Sequence, residues 1–141
     1  MVAMRTHLLD ANIWLASRNS FERGHDAARR LIEGADRRRF VALDLTLYEV
    51  ANIAIRSWRS KRSARRLTEL VRAACSGDIL RVDDTLISRA IAIAEEYSLS
   101  AYDAAYAAAA EINGWTLVSG DYKDLVEPGL AITAEQALAM S

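Results

Sequence analysis

Apolar residues along the chain fall into two kinds of run. Short runs, Arg5-Thr6-His7-Leu8-Leu9, Phe40-Val41-Ala42-Leu43, Ile79-Leu80-Arg81-Val82 and Trp115 to Val118, have the length and character of strands. Between them lie longer stretches with apolar residues at helical spacing. Ala11 to Ser17 carries Ile13, Trp14, Leu15 and Ala16, and Phe21 to Ala35 carries Ala27, Ala28, Leu31 and Ile32. A third helix is predicted from about Leu47 to Trp58, and a fourth starts at Ser60 or Ser63 and runs to about Cys75, where Gly77 ends it. Asp84 is placed as the cap of a helix reaching Tyr97, and a small-residue helix around Asp103 stops at Gly114. After the strand at Trp115 come a turn or short helix at Asp121 to Val126, a Pro128-Gly129 turn and a brief edge strand at Leu130 to Ile132. Thr133, with T-x-x-Q spacing, caps a terminal helix.

Short strands alternating with helices predict an α/β fold, a central parallel sheet flanked by helices on both faces, an α-β-α sandwich. No linker, repeat or low-complexity segment interrupts the pattern, so residues 1–141 are read as one domain. In open parallel sheets, ligands collect beyond the carboxyl ends of the strands. Asp10 and Asp121 both stand there by sequence.

Composition narrows the chemistry. One cysteine, Cys75, and two histidines, His7 and His25, leave no material for a thiolate or His-based zinc site or for an internal disulfide. No apolar run approaches the roughly 18 residues of a membrane span, and with no export signal a cytoplasmic setting is the default expectation. Residues 1–72 carry 15 Lys/Arg against 8 Asp/Glu, a net +7; residues 73–141 carry 3 against 11, a net −8. That asymmetry hints at an anionic partner for the first half and a metal or basic partner for the second.

Four acids end elements that such a sheet would bring together: Asp10, Glu49, Asp103 and Asp121. Each has an ordinary structural use. Asp10 suits a helix N-cap at a strand-to-helix turn. Thr46-Leu47-Tyr48-Glu49 has capping-box spacing, Ser100-Ala101-Tyr102-Asp103 puts an acid three residues after a Ser cap, and Asp121 suits a turn after Gly120. Crowded carboxylates raise one another's pKa unless a cation neutralises them. All-oxygen donors favour Mg²⁺ or Mn²⁺, and a water on such an ion is a nucleophile for phosphodiester hydrolysis.

The pieces Leu8-Leu9-Asp10-Ala11-Asn12, Tyr48-Glu49-Val50-Ala51-Asn52, Tyr102-Asp103-Ala104-Ala105-Tyr106-Ala107 and Leu117-Val118-Ser119-Gly120-Asp121 occur in that order over nearly the whole chain. In this the sequence resembles PIN-domain proteins, specifically VapC-type toxin ribonucleases. The resemblance implies a metal-dependent endoribonuclease, the toxin of a type II toxin–antitoxin module, with RNA as substrate, an antitoxin as partner and a homodimer as assembly. By position it makes Asp10, Glu49, Asp103 and Asp121 the catalytic acids. Asp10 and Asp103 would be direct metal ligands, Asp121 would complete the first or a second metal site, and Glu49 would position or deprotonate the attacking water. Asn12 and Ser119 would orient carboxylates or phosphate; the family often has Thr at the latter place, and Ser119 keeps the hydroxyl. Asp124 is a possible auxiliary acid, with a solvated turn as its ordinary reading. Cleavage by metal-bound water should leave a 5′-phosphate and a 3′-hydroxyl.

Arg56, Arg59, Lys61, Arg62, Arg65, Arg66 and Arg72 lie within seventeen residues, opposed only by Glu69. They are candidates for neutralising an RNA backbone, for docking an antitoxin tail, or for a simple solvated face. Trp14 and Trp58 fall on apolar stripes and are expected to pack, with Trp14 the better outsider for a nucleotide contact. Tyr102 and Tyr106 are expected to pack on a neighbouring helix, His7 to lie in a strand, His25 to be exposed on a helix, Arg37–Arg39 to be a solvated loop, and Cys75 to be inert. Two other functions compete: a non-catalytic RNA- or protein-binding module of the same fold, and a haloacid-dehalogenase-like phosphatase with Asp10 as nucleophile. Asn12 stands where such phosphatases carry a second Asp, which weakens the latter.

Overall fold

The computed structural model describes residues 5–34 and 37–140. Its strands are β1 (Thr6–Leu9), β2 (Arg39–Leu43), β3 (Ile79–Leu80) and β4 (Thr116–Val118). They form one sheet in the order β3-β2-β1-β4, and every pairing is parallel. The helices are α1 (Ala11–Ser17), α2 (His25–Glu33), α3 (Asp44–Arg56), α4 (Lys61–Ala74), α5 (Asp84–Tyr97), α6 (Ala101–Asn113) and α7 (Ala134–Ala139), with a π-helical turn at Tyr122–Val126.

Side-chain alternation in the strands splits the interior into two cores, one on each face. Leu9, Phe40, Ala42 and Val118 face Trp14, Leu31, Val50, Leu67 and Ala137. Leu8, Val41, Leu43 and Leu117 face Leu86, Ile93, Leu125 and the alanines of α6. The expected α-β-α sandwich is therefore present. On the second face Ala104, Ala105, Ala107, Ala108, Ala109 and Ala110 are all buried, so α6 approaches its neighbours closely for want of bulk. Helix ends follow side-chain chemistry: Ser60, Asp83, Ser100 and Thr133 each accept a backbone N–H of the first turn. Gly114, at φ 68°, ends α6 in the left-handed region and turns the chain into β4.

Several boundaries move from those expected. α2 begins at His25 because Gly24 takes a left-handed conformation (φ 84°), and residues 21–24 form turns; Ala35 lies outside the described residues. α3 starts at Asp44, directly from β2, three residues earlier than its apolar pattern suggested. β3 stops at Leu80, since Val82 N–H turns to the Asp44 carboxylate. Asp83 rather than Asp84 caps α5. The expected edge strand at Leu130 to Ile132 is reduced to a single parallel bridge, Val118 to Ile132. Arg38 and Arg39 are not merely solvated: Arg38 reaches carbonyls at the end of α7, and Arg39 pairs with Asp78. No helix among the described residues is long and apolar enough to cross a membrane.

The close packing of the α6 alanines is testable. Ala108→Leu should destabilise the protein by about 1–3 kcal/mol through overpacking. Ala101→Leu, at the exposed start of the same helix, should change stability by less than about 0.5 kcal/mol. Urea melts compare the two, and equal effects would contradict the packing.

Candidate active site

Parallel strands bring their carboxyl ends to one edge, and the acids gather there. Asp10 follows β1 and is 5% exposed. It does occupy the N-cap position of α1, but its side chain makes no cap hydrogen bond. Instead Asp10 Oδ2 accepts from Ser119 Oγ at 2.8 Å and from Asn12 Nδ2 at 3.3 Å. Ser119, fully buried after β4, also accepts Asp121 N–H at 3.0 Å, and Asn12 Oδ1 accepts Gly120 N–H at 2.9 Å. These bonds tie the end of β4 to the end of β1.

Glu49 is in the second turn of α3. The capping-box reading of Thr46 and Glu49 is overturned: Thr46 is itself the third helical residue, its hydroxyl accepts Leu43 N–H at 3.2 Å, and Glu49 does not reach back. Glu49 Oε1 accepts from the Tyr106 hydroxyl at 2.7 Å. Asp103, in the first turn of α6, has its N–H capped by Ser100 Oγ at 3.1 Å. Asp121 does serve the turn, with Oδ1 accepting Asp124 N–H at 3.1 Å. One carboxylate oxygen from each of Asp103, Asp121 and Asp124 lies within 4.8 Å of the others. Asp103, Asp121 and Asp124 thus form one group, and Asp10 and Glu49 stand outside it. Asp124, exposed as a turn residue would be, nevertheless joins the cluster.

Electrostatics connects these acids. Burial, opposed by the Ser119 hydroxyl and reinforced by Glu49 and Asp103, pushes the Asp10 carboxyl up to about 7. Burial also raises Glu49, against the Tyr106 hydroxyl and with help from Asp103. Asp103 is raised by burial and then by Asp121 and Asp124. Three carboxyls that resist ionisation, offering only oxygen donors, are a good match for a hard divalent cation, which would relieve the shared repulsion.

Other expectations resolve differently. Trp14 is 0% exposed and packs edge-on to Phe40, which excludes a nucleotide contact, while Trp58 packs on the same core as expected. Tyr102 is 61% exposed and does not pack as expected, whereas Tyr106 is buried. His7 is a buried strand residue; His25 is only half-exposed, its Nδ1 2.7 Å from the Ala16 carbonyl. Cys75 is buried, and burial pushes its thiol up to about 12, in keeping with an inert residue. Arg56, Arg59, Lys61, Arg62, Arg65, Arg66 and Arg72 are exposed on α3, α4 and their junction. Among the described residues none of them has an ion-pair partner within 4 Å. What the sequence reading missed is the bond from Tyr106 to Glu49, because only the fold brings α6 beside α3.

A model of the PIN domain matches residues 7–127. The chain belongs to the PIN-domain family. This PIN domain is similar to the structure of PAE2754 from Pyrobaculum aerophilum, with TM-score 0.70, 26% identity, and 96% of this chain and 88% of that one covered. It is similar to a toxin-antitoxin complex from Klebsiella pneumoniae (TM-score 0.67, 22% identity, 91% and 97% covered). It also resembles Mycobacterium tuberculosis VapC20, described as a sarcin-ricin loop cleaving toxin (TM-score 0.67, 19% identity, 87% and 95% covered). No curated protein sequence matches the chain. Membership of the PIN family sets aside the phosphatase alternative, and a buried Asp10 whose Oδ2 is held by two donors is a poor nucleophile.

The raised Asp10 carboxyl has a consequence for stability. The folded state binds this proton more tightly than the unfolded chain does, so its stabilising contribution is complete below the ordinary value of 3.8. It is lost as pH rises from there through about 7. In metal-free protein, Asp10→Asn should therefore gain melting temperature over the wild type, and the gap should widen from about pH 5 to about pH 8. Comparing the pair cancels the opposite contribution of His7, whose buried neutral ring is lowered by desolvation. A gap that stays constant or narrows would contradict the assignment.

Proposed function

We propose that this PIN domain is a divalent-metal-dependent endoribonuclease, acting as the toxin of a toxin–antitoxin pair. The observation that carries it is the collection of Asp10, Glu49, Asp103 and Asp121 at one end of the sheet, with three of them held against ionisation. Asp103, Asp121 and Asp10 are the residues that would hold Mg²⁺ or Mn²⁺, with Asp124 beside them. When bound, the ion supplies charge neutralisation at the phosphate and acidifies a water. Asn12 and Ser119 hold the Asp10 carboxylate in one orientation through Oδ2. Glu49, with Oε1 occupied by Tyr106, takes a proton from the attacking water. The products would carry a 5′-phosphate and a 3′-hydroxyl.

The toxin reading draws on the Klebsiella pneumoniae toxin-antitoxin complex and on VapC20, both of the same fold. A cognate antitoxin and a homodimer belong to the same proposal. Exposed apolar residues on the second face, Ile87, Ile91 and Ile112, favour burial against another chain. The cationic run from Arg56 to Arg72, exposed and without ion-pair partners among the described residues, is the surface proposed to neutralise RNA phosphates.

Incubation of a mixed RNA pool with Mg²⁺ or Mn²⁺ should give cutting that EDTA abolishes. Asp103→Ala, shown to be folded, should reduce it by about 100-fold or more. RNA left intact by folded, antitoxin-free protein would favour the binding-module alternative. Recovery of 2′,3′-cyclic phosphate ends would contradict attack by water. Separately, Arg62→Gln with Arg65→Gln and Arg66→Gln should weaken RNA binding and flatten the dependence of log affinity on log salt by about 2–3. An unchanged salt slope would remove this surface from the RNA interface.

A further inference from the structure

Tyr106 lies on α6, three residues after Asp103, and its side chain is fully buried. Its hydroxyl has two partners. It donates to Glu49 Oε1 at 2.7 Å and lies 2.8 Å from Thr46 Oγ1. A phenol has a single proton, and here the carboxylate takes it, so Thr46 must be the donor to Tyr106. Thr46 Oγ1 in turn accepts Leu43 N–H at 3.2 Å. A one-way chain of donors therefore runs from the backbone amide where β2 passes into α3, through Thr46 and Tyr106, to one oxygen of Glu49. Thr46 and Tyr106 are both 0% exposed, so no water competes for these bonds. Burial, together with Asp10 and Glu49, raises the Tyr106 hydroxyl well above its ordinary value and keeps it protonated as a donor.

A glutamate on a helix surface ordinarily samples several rotamers, and one that must meet a single water cannot. Among the described residues Oε2 has no hydrogen-bond donor, while Oε1 is pinned. We propose that Tyr106 is a positioning residue: by fixing Glu49 through Oε1 it leaves Oε2 as the one oxygen able to take the proton of the attacking water. The proposal rests on the nuclease reading for its kinetic consequence, although the pinning of Glu49 does not. Glu49 is thereby assigned to proton transfer, with Oε1 engaged by Tyr106.

Tyr106→Phe removes one oxygen atom and nothing else. Four proteins are compared on an RNA that the wild type cuts: wild type, Tyr106→Phe, Glu49→Gln and the double variant, each checked for folding by circular dichroism. Tyr106→Phe should lower kcat by about 10–100-fold, the cost of a misplaced group, with KM changed less than about 2-fold. Mn²⁺ affinity by calorimetry should not change. Because Tyr106 acts through Glu49, the double variant should be no slower than Glu49→Gln alone. Independent, multiplying effects of the two substitutions, or wild-type kcat in Tyr106→Phe, would overturn the proposal. Should Tyr106→Phe not fold, Thr46→Val tests the same chain one link back and should lower kcat, while Thr46→Ser, which keeps the hydroxyl, should not. Crystal structures of the metal-free wild type and Tyr106→Phe give a readout without activity. Glu49 should leave its wild-type rotamer in the variant, and an unmoved Glu49 overturns the positioning role. A wild-type protein that cuts no RNA would sink the nuclease reading alone, leaving the crystal comparison to decide on Tyr106.

Discussion

A carboxylate held out of water among other carboxylates is the constraint around which this PIN domain is arranged. Asp10 is nearly inaccessible and feels both Glu49 and Asp103. Left unpaired, such a group is costly to bury, and hydrogen-bond donors offset only part of that cost. The chain supplies them from two places remote in sequence: Asn12, on the first turn of α1, and Ser119, beyond β4. The same bonds lock β4 to β1 at their carboxyl ends. Site and sheet edge are consequently one structure, and changes to Ser119 or Asn12 would disturb both.

The two faces of the sheet do different work for that edge. On one face α1 and α3 leave the sheet at once, so Asp10 and Glu49 stand near strand ends with little backbone freedom between. On the other, α6 lies close because its inner residues are alanines, and it delivers Asp103 and Tyr106 together. The hydroxyl of Tyr106 then crosses to Glu49 on α3. Rigid elements rather than loops carry these groups, which favours fixed geometry. Asp121 and Asp124 differ: they sit at and just inside a π-helical turn, in a more exposed setting.

Burial, and after it Asp121 and Asp124, raises Asp103, which in turn adds to the burial that raises Asp10 and Glu49. It is the acid that links Asp10 and Glu49 to Asp121 and Asp124, and a cation placed near it would lower the cost of ionising all of them. Phosphodiester hydrolysis needs such neutralisation, and an edge of a parallel sheet is where α/β folds bind their ligands.

The sequence by itself determined the α/β class, most of the elements, the PIN resemblance and the acids worth attention. Those properties rest on local periodicity and on short strings of residues, which a chain carries whether or not it is folded. Its errors were also local. The T-x-x-E spacing at Thr46 and Glu49 is real, but the helix starts earlier than the apolar stripe implies, so Thr46 serves Leu43 and Glu49 is left free for Tyr106. Trp14 stands four residues after Asp10 in the sequence, yet its ring turns into the core. Only the tertiary structure decided which acids are neighbours, that Asp124 joins Asp103 and Asp121, and that Asp10 rests on Ser119 more than a hundred residues away. Those outcomes depend on strand order and helix approach, and the burial that shifts a carboxyl's pKa does not exist until both faces of the sheet are covered.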